Sequence, residues 1–299
     1  MTPDDIRQTP CGTISEESRE RYFADGGVCI EKAVQGEWLA RLRSAIDGLV
    51  ERSRAVSASD AVFDLEPGHS AEAPRLRRVS SPCDIDPVFW EVLIDGPVGD
   101  IAADLLGPDV KFYQAKLNFK WAKGGAEVKW HQDQPFFPHT NHAVATFGIY
   151  LDDCGPEQGP LKILPGSNHG PLYNHYDENG VWSGDISARE VETLETDDAI
   201  EFTAPAGSMT VHNYLTVHGS RPNLSDTGRP LLLYVLSAAD AAPYTSQPLK
   251  SRFEQRIVRG TPAKMVHHEA GRFRVPPDWS GGYTSIFASQ QKETRAAAE

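Results

Sequence analysis

The chain has 299 residues, of which 39% are hydrophobic and 24% charged, and its formal net charge is −13. That composition supplies a sizeable core, and with no long Lys/Arg run it argues against a phosphate-backbone partner and weighs against a large polyanionic substrate such as a coenzyme A thioester. No apolar run approaches the roughly 18 residues of a membrane span, and the start, Met1-Thr2-Pro3-Asp4-Asp5-Ile6-Arg7, lacks the basic-then-apolar pattern of a secretory signal, so a cytoplasmic location is expected.

Residues 35–52 carry Trp38, Leu39, Leu42, Ile46, Leu49 and Val50 at helical spacing, which predicts a scaffold helix. Residues 56–82 mix Ser, Asp, Pro, Gly and Arg with little periodicity and read as a long, lid-like loop, with Arg75, Arg77 and Arg78 as a solvated face. A short helix over 98–106 stops at Gly107-Pro108. The strand predicted over 110–121 alternates, with Gln114, Lys116, Asn118 and Lys120 on one face and Tyr113, Ala115, Leu117, Phe119 and Trp121 on the other. A polar inner face suits a pocket, but pattern alone favours a half-exposed strand with its polar side in water. Strand-like segments follow at 143–151, 160–164 and 209–212, the last after the turn Ala204-Pro205-Ala206-Gly207-Ser208. The polar stretch 168–200 reads as a cover over the barrel mouth, its acidic run 190–198 as a solvated helix or loop, and 290–299 as a frayed tail.

Many short strands broken by Gly and Pro predict a mainly β chain with flanking helices, folded as a barrel or jelly roll. One domain is expected, with helical decoration over about 35–106, the core over about 110–240 and a C-terminal extension over 241–299.

The chemistry concentrates in Trp130-His131-Gln132-Asp133, which opens a loop rich in aromatic residues and proline, and in the distant His218. His131 and Asp133, two apart on an extended segment, project to one side. Two imidazoles and a carboxylate suit Fe(II) and leave coordination positions open, whereas a structural site is closed by four protein ligands, usually including cysteine. Cys11, Cys29, Cys83 and Cys154 lie far apart without a CxxC pair and read as reduced thiols. His-x-Asp by itself arises often by chance, so its surroundings carry the weight. His139, His142, His169, His175 and His212 read as loop or supporting residues, and His267-His268-Glu269 lacks the spacing of a helical zinc site. Phe136 and Phe137 are candidates to line a substrate pocket.

Arg229 opens the run Arg229-Pro230-Leu231-Leu232-Leu233-Tyr234-Val235-Leu236, a buried strand in which Arg229 shares a face with Leu231, Leu233 and Val235. A guanidinium on an apolar face needs an anion, and its planar fork matches a carboxylate; the far carboxylate of 2-oxoglutarate is a candidate. The alternative is a strand-end arginine reaching water.

These residues resemble the phytanoyl-CoA dioxygenase family. Asp25-Gly26-Gly27-Val28, Trp130-His131-Gln132-Asp133, Leu151-Asp152-Asp153, the segment from Gly159-Pro160 to Gly166-Ser167, and His218-Gly219-Ser220 through Asn223 to Arg229 follow in family order, so the likeness spans most of the chain. The resemblance implies a double-stranded β-helix (jelly-roll, cupin-like) barrel and an Fe(II)/2-oxoglutarate-dependent oxygenase acting with O2 on a small-molecule substrate. It implies iron ligation by His131, Asp133 and His218, and a 2-oxoglutarate grip from Arg229 and Ser220, with Lys116 lining the co-substrate pocket. Gln114 is a further candidate of that kind, its amide contacting substrate or co-substrate. Related halogenating enzymes replace the carboxylate with a small residue; here Asp133 is present, so hydroxylation is the default expectation, with desaturation, ring closure or epoxidation open. One position departs: Gly148 stands where the family commonly has a large side chain, leaving a wall that Phe147 or Tyr150 fills or that admits a bulkier substrate. Two other readings remain open, a cupin-like metal-dependent isomerase or hydrolase and a non-catalytic metal-binding barrel.

Overall fold

The apolar run that begins at Arg229 becomes the spine of the molecule. The computed structural model describes residues 1–272, 274–279 and 285–290. Its strands, in chain order, are β1 (Gly27–Ile30), β2 (Phe63–Leu65), β3 (Leu76–Ser80), β4 (Val110–Lys120), β5 (Val128–His131), β6 (Val144–Tyr150), β7 (Lys162–Ile163), β8 (Ile200–Glu201), β9 (Met209–Asn213), β10 (His218–Ser220), β11 (Arg229–Ala238) and β12 (Ile257–Arg259). The helices are α1 (Pro3–Arg7), α2 (Glu16–Asp25), α3 (Gly36–Ser53), α4 (Val88–Ile94), α5 (Val98–Leu106), α6 (Ala188–Val191) and α7 (Ile286–Gln290). The larger sheet runs β1-β9-β6-β11-β4-β3-β2, with β12 also paired to β4, and the smaller runs β5-β10-β7-β8. The arrangement is the expected two-sheet jelly roll, flanked by helices, but among the described residues the sheets do not join into a closed barrel.

Period-two alternation along β11 divides the interior. Leu232, Tyr234 and Leu236 point into the main core, where Ala115 and Leu117 of β4, Phe147 and Ile149 of β6, and residues of α3, α4 and α5 meet them. Tyr234 also donates its hydroxyl to the carbonyl of Phe89 at 2.6 Å, tying α4 to the sheet. The opposite face of β11, with Arg229, Leu231 and Leu233, lines a cavity between the two sheets. The helices expected at 35–52 and 98–106 are α3, which buries Leu42, Ile46 and Leu49, and α5, which ends where Gly107 takes a φ of 98°. The acidic run 190–198 is short helix and turn, as expected. The tail beyond residue 290 lies outside the described residues.

Three expectations are overturned. Residues 56–82 are not a free loop: they contribute β2 and β3, and β3 adds to β4 in the larger sheet. The polar and basic residues there mask a short strand in which Leu76 and Val79 are buried, Arg77 pairs with Asp64 at 3.2 Å, and Arg78 is buried rather than solvated. The polar side of β4 faces the cavity instead of water, with Gln114 and Lys120 buried. Tyr113 does not share a face with Ala115 and Leu117. The pairing shifts from Val235–Gln114 to Leu236–Phe112, and this bulge turns Tyr113 inward against Phe137, their ring centroids 5.4 Å apart.

Leu232 is fully buried, with Leu117 and Ile149 as its register partners on the two neighbouring strands. Leu232→Ala is expected to destabilise the protein by about 2–5 kcal/mol, read as a lower urea midpoint at unchanged m-value.

Candidate metal centre

Strand pairing brings the two distant histidines together. His218 of β10 is the register partner of His131 at the end of β5, and their ring centroids lie 4.0 Å apart. Asp133, just beyond β5, places Oδ1 3.9 Å from Nε2 of each histidine. Ligand atoms of all three lie within 4.8 Å of one another, close enough for one ion to reach, and this is the one such buried group among the described residues. The donor set also has its orientation settled. Nδ1 of His131 bonds the carbonyl of Lys129 at 2.9 Å and Nδ1 of His218 that of Thr216 at 2.9 Å, so Nδ1 carries the proton and Nε2 presents a lone pair. Asp133 Oδ2 accepts from the Thr146 hydroxyl at 2.6 Å, leaving Oδ1 for a metal.

Electrostatics favour the metal-binding protonation states. Burial holds the His131 imidazole down to about 4, with Asp133 opposing, and holds His218 well below its usual range. Burial alone would raise the Asp133 carboxyl, but His212, His218 and Lys116 around it draw it well below the ordinary carboxylate range. At neutral pH the pocket therefore holds two neutral imidazoles and one carboxylate, as divalent iron requires.

Arg229 lies in the same cavity as the triad. It is buried, and its Nε and Nη1 have no hydrogen-bond partner among the described residues. Beside it in register is Lys120, whose ammonium donates to the carbonyls of Ser220 and Arg221 and is pushed well below the usual lysine range by burial and then by Arg229. Ser220 and Lys116 line this cavity too, and burial lowers Lys116 to about 8 against the pull of Asp133. Gln114 is not at the Arg229 end. It lines an adjoining small compartment with Arg78, Lys116, Asp133, Phe136 and Phe137. Phe136 and Phe137, which also pack in a hydrophobic cluster with Tyr113, are part of its wall.

Thr146 and His212 were not singled out as site residues from the sequence, although the alternation of β6 and β9 points both inward. His212 Nε2 is 3.4 Å from Asp133 Oδ2 and its ring centroid is 4.0 Å from that of His218, so it packs behind the triad. Gly148 is explained by crowding: a Cβ there would sit 2.8 Å from Thr210 Oγ1 and 3.1 Å from Leu233 Cδ2. Neither Phe147, which faces the main core, nor Tyr150, whose hydroxyl accepts from the Leu161 amide, fills that place. The stretch 168–200 reaches the metal loop through Gln132, which donates its amide side chain to the carbonyls of Pro171 and Leu215, and through His175.

Comparison with known proteins agrees with this geometry. The phytanoyl-CoA dioxygenase family matches residues 22–231. A protein of Stutzerimonas stutzeri named "Probable alpha-ketoglutarate-dependent hypophosphite dioxygenase" is 30% identical over 94% of this chain and 99% of its own length. The L-proline trans-4-hydroxylase of Streptomyces griseoviridis is 27% identical over 79% of this chain and 91% of its own. Among solved structures, EctD from S. alaskensis with 2-oxoglutarate and 5-hydroxyectoine superposes with a TM-score of 0.67 at 22% identity, covering 88% of this chain and 90% of that one, a likeness of fold. Fold and site together define an iron- and 2-oxoglutarate-dependent dioxygenase. The chain belongs to the phytanoyl-CoA dioxygenase family.

His175 carries a pH consequence. Its Nε2 accepts from the Gln132 amide at 2.9 Å while Nδ1 bonds the carbonyl of Tyr173 at 3.1 Å, so the neutral ring is the one that fits. Burial, with His131 nearby, holds it down to about 3 from an ordinary 6.5. The unfolded chain therefore takes up the proton first. This contribution to stability is complete above about pH 6.5 and is lost as pH falls toward about 3. The melting temperature of the metal-free protein is expected to fall across that window, and His175→Gln to show a shallower slope there by calorimetry.

Proposed function

We propose that this chain hydroxylates a C–H bond of a small organic molecule, coupled to conversion of 2-oxoglutarate and O2 to succinate and CO2. His131, Asp133 and His218 hold iron(II), and Arg229, with Ser220, holds the far carboxylate of 2-oxoglutarate. When bound, the metal and co-substrate supply the oxidant, and the protein supplies position and exclusion of water. The Nδ1 bonds to Lys129 and Thr216 keep both imidazoles aimed at the metal position. Thr146 keeps the carboxylate turned, and the apolar wall of Phe136, Leu231, Leu233 and Ile286 keeps the cavity dry.

The observation that carries this reading is the buried Arg229 guanidinium with two unsatisfied nitrogens in the cavity of the triad. Unpaired buried donors are costly, and a carboxylate satisfies a guanidinium in bidentate fashion. An isomerase or hydrolase supplies no 2-oxo acid for Arg229 to hold. The carboxylate of Asp133 supports hydroxylation over halogenation. The relatives named for hypophosphite and L-proline support a small substrate. A cytoplasmic setting belongs to the same proposal, supported by four unpaired cysteines; among the described residues no helix is long and apolar enough to cross a membrane.

With iron(II) under air, the protein is expected to form succinate from 2-oxoglutarate. Asp133→Ala is expected to abolish this with far-ultraviolet dichroism unchanged. Arg229→Ala should raise the KM for 2-oxoglutarate by about tenfold to a hundredfold while metal binding by calorimetry persists. Unchanged co-substrate affinity in that variant would refute the role given to Arg229.

A further inference from the structure

The family match ends at residue 231, yet the wall of the metal cavity does not. Ile286 and Phe287 of α7 line that cavity, and they pack in one apolar cluster with Phe136 of the metal loop and with Val128 of β5. Both are buried, Phe287 to 2% exposure, so a five-residue helix closes the cavity that also holds His131 and Asp133.

A glutamine clasps α7 to the site. Gln290, expected from the sequence to begin a frayed tail, is 3% exposed. Its Oε1 accepts from the Lys129 amide at 3.1 Å, and its Nε2 donates to the Gly184 carbonyl at 3.0 Å. A donor facing one end and an acceptor facing the other fix which way the side-chain amide points. Lys129 lies in β5, an edge strand of the smaller sheet among the described residues, so an amide of its outer side needs a partner from elsewhere. The carbonyl of the same residue accepts from Nδ1 of His131 at 2.9 Å. Lys129 thus joins the C-terminal helix to a metal ligand: Gln290 holds its amide, and its carbonyl sets the imidazole. Gly184 brings in the stretch 168–200, whose Ile186 amide donates to the Trp130 carbonyl at 2.9 Å. The φ of 74° at Gly184 lets that stretch pass closely between Phe136 and Ser289 of α7.

We propose that Gln290 is a positioning residue for His131, acting through the backbone of Lys129, and that α7 is a working wall of the active centre whose apolar side chains keep water from the metal. This rests on the metal site of the dioxygenase reading above and extends that site to a segment well past the family match. Gln290 bonds to backbone groups at both ends and reaches the metal position only through Lys129. Loss of the clasp frees Lys129, and with it the carbonyl that holds Nδ1, so Nε2 of His131 loses its fixed aim. The same loss releases Ile286 and Phe287 from the cavity.

The test uses the whole chain, metal-free and titrated with cobalt(II), whose visible absorption reads the arrangement of its ligands; the rate at which excess EDTA then removes the metal reads closure of the cavity. Gln290→Ala is expected to weaken cobalt about tenfold, to change the absorption and to speed removal about tenfold. Gln290→Glu keeps an acceptor for the Lys129 amide and loses the donor to Gly184. It should retain the parental absorption while removal by EDTA speeds up, a split that a general loss of packing does not give. Met265→Ser, at an 82% exposed position of the same C-terminal extension, should match the unaltered protein in all three measurements, and a change there as large as in Gln290→Ala would overturn the assignment. Parental affinity and absorption in Gln290→Ala, or the same altered absorption in Gln290→Glu, overturns the positioning role; unchanged removal by EDTA in both variants overturns the wall. If Gln290→Ala does not fold, hydrogen exchange at the Lys129 amide decides: slow exchange is expected in the unaltered protein and in Gln290→Glu, and exchange at the rate of an unbonded amide overturns the clasp. Failure of the metal reading looks different, since the unaltered protein then binds no cobalt at all.

Discussion

Strand β11 lies between β4 and β6 in a register that assigns every neighbouring side chain to one of two incompatible surroundings. Leu232, Tyr234 and Leu236 enter a core of aliphatic and aromatic groups, while Arg229, Leu231 and Leu233 face the cavity between the sheets. A slip of one residue would move the guanidinium into hydrocarbon and the leucines into the cavity, so burial on the core face locks the polar face in place. The same register carries Lys120, Lys116 and Gln114 of β4 and Thr146 and Gly148 of β6 to positions along that cavity. The smaller sheet completes the arrangement by pairing β10 with β5, which closes two histidines against each other.

The chemistry depends on how these buried polar groups satisfy one another. Each histidine has one ring nitrogen occupied by a backbone carbonyl, and Asp133 has one oxygen occupied by Thr146. The remaining donors converge. The cations along the cavity wall are less completely answered. Lys120 has carbonyls, whereas among the described residues two nitrogens of Arg229 have no partner. In a buried cavity such an unanswered donor is a place for a ligand to carry the missing charge.

Particular residues show where sequence pattern reaches and where it stops. The triad was legible because His131 and Asp133 are two apart on extended chain and His218 sits before small residues that end a short strand. Arg229 was legible because a charged residue opening an apolar strand has few physical justifications. Arg78 was misread as solvated because two adjacent arginines make β3 look polar; one pairs with Asp64 and the other turns inward. Tyr113 was assigned to the wrong face because a bulge in β4 changes the phase of the strand, and no local residue announces it. Thr146, His212 and Lys120 lie on strands whose inward faces were foreseeable, but their nearness to Asp133 and Arg229 depends on pairing between distant segments.

The amino-acid sequence by itself determined the donor types, the Asp133 carboxylate among them, the helices α3 and α5, and the alternation that makes a two-faced β fold. These follow from short-range chemistry, since side-chain period, ligand preference and helix stop signals act over a few residues. Tertiary structure alone decided which polar face became a pocket, which cation stands beside which carboxylate, and that Gly148 is small because Thr210 and Leu233 already occupy its space. Those are outcomes of strand register and sheet-on-sheet packing, in which the partners of a residue lie tens to hundreds of positions away along the chain.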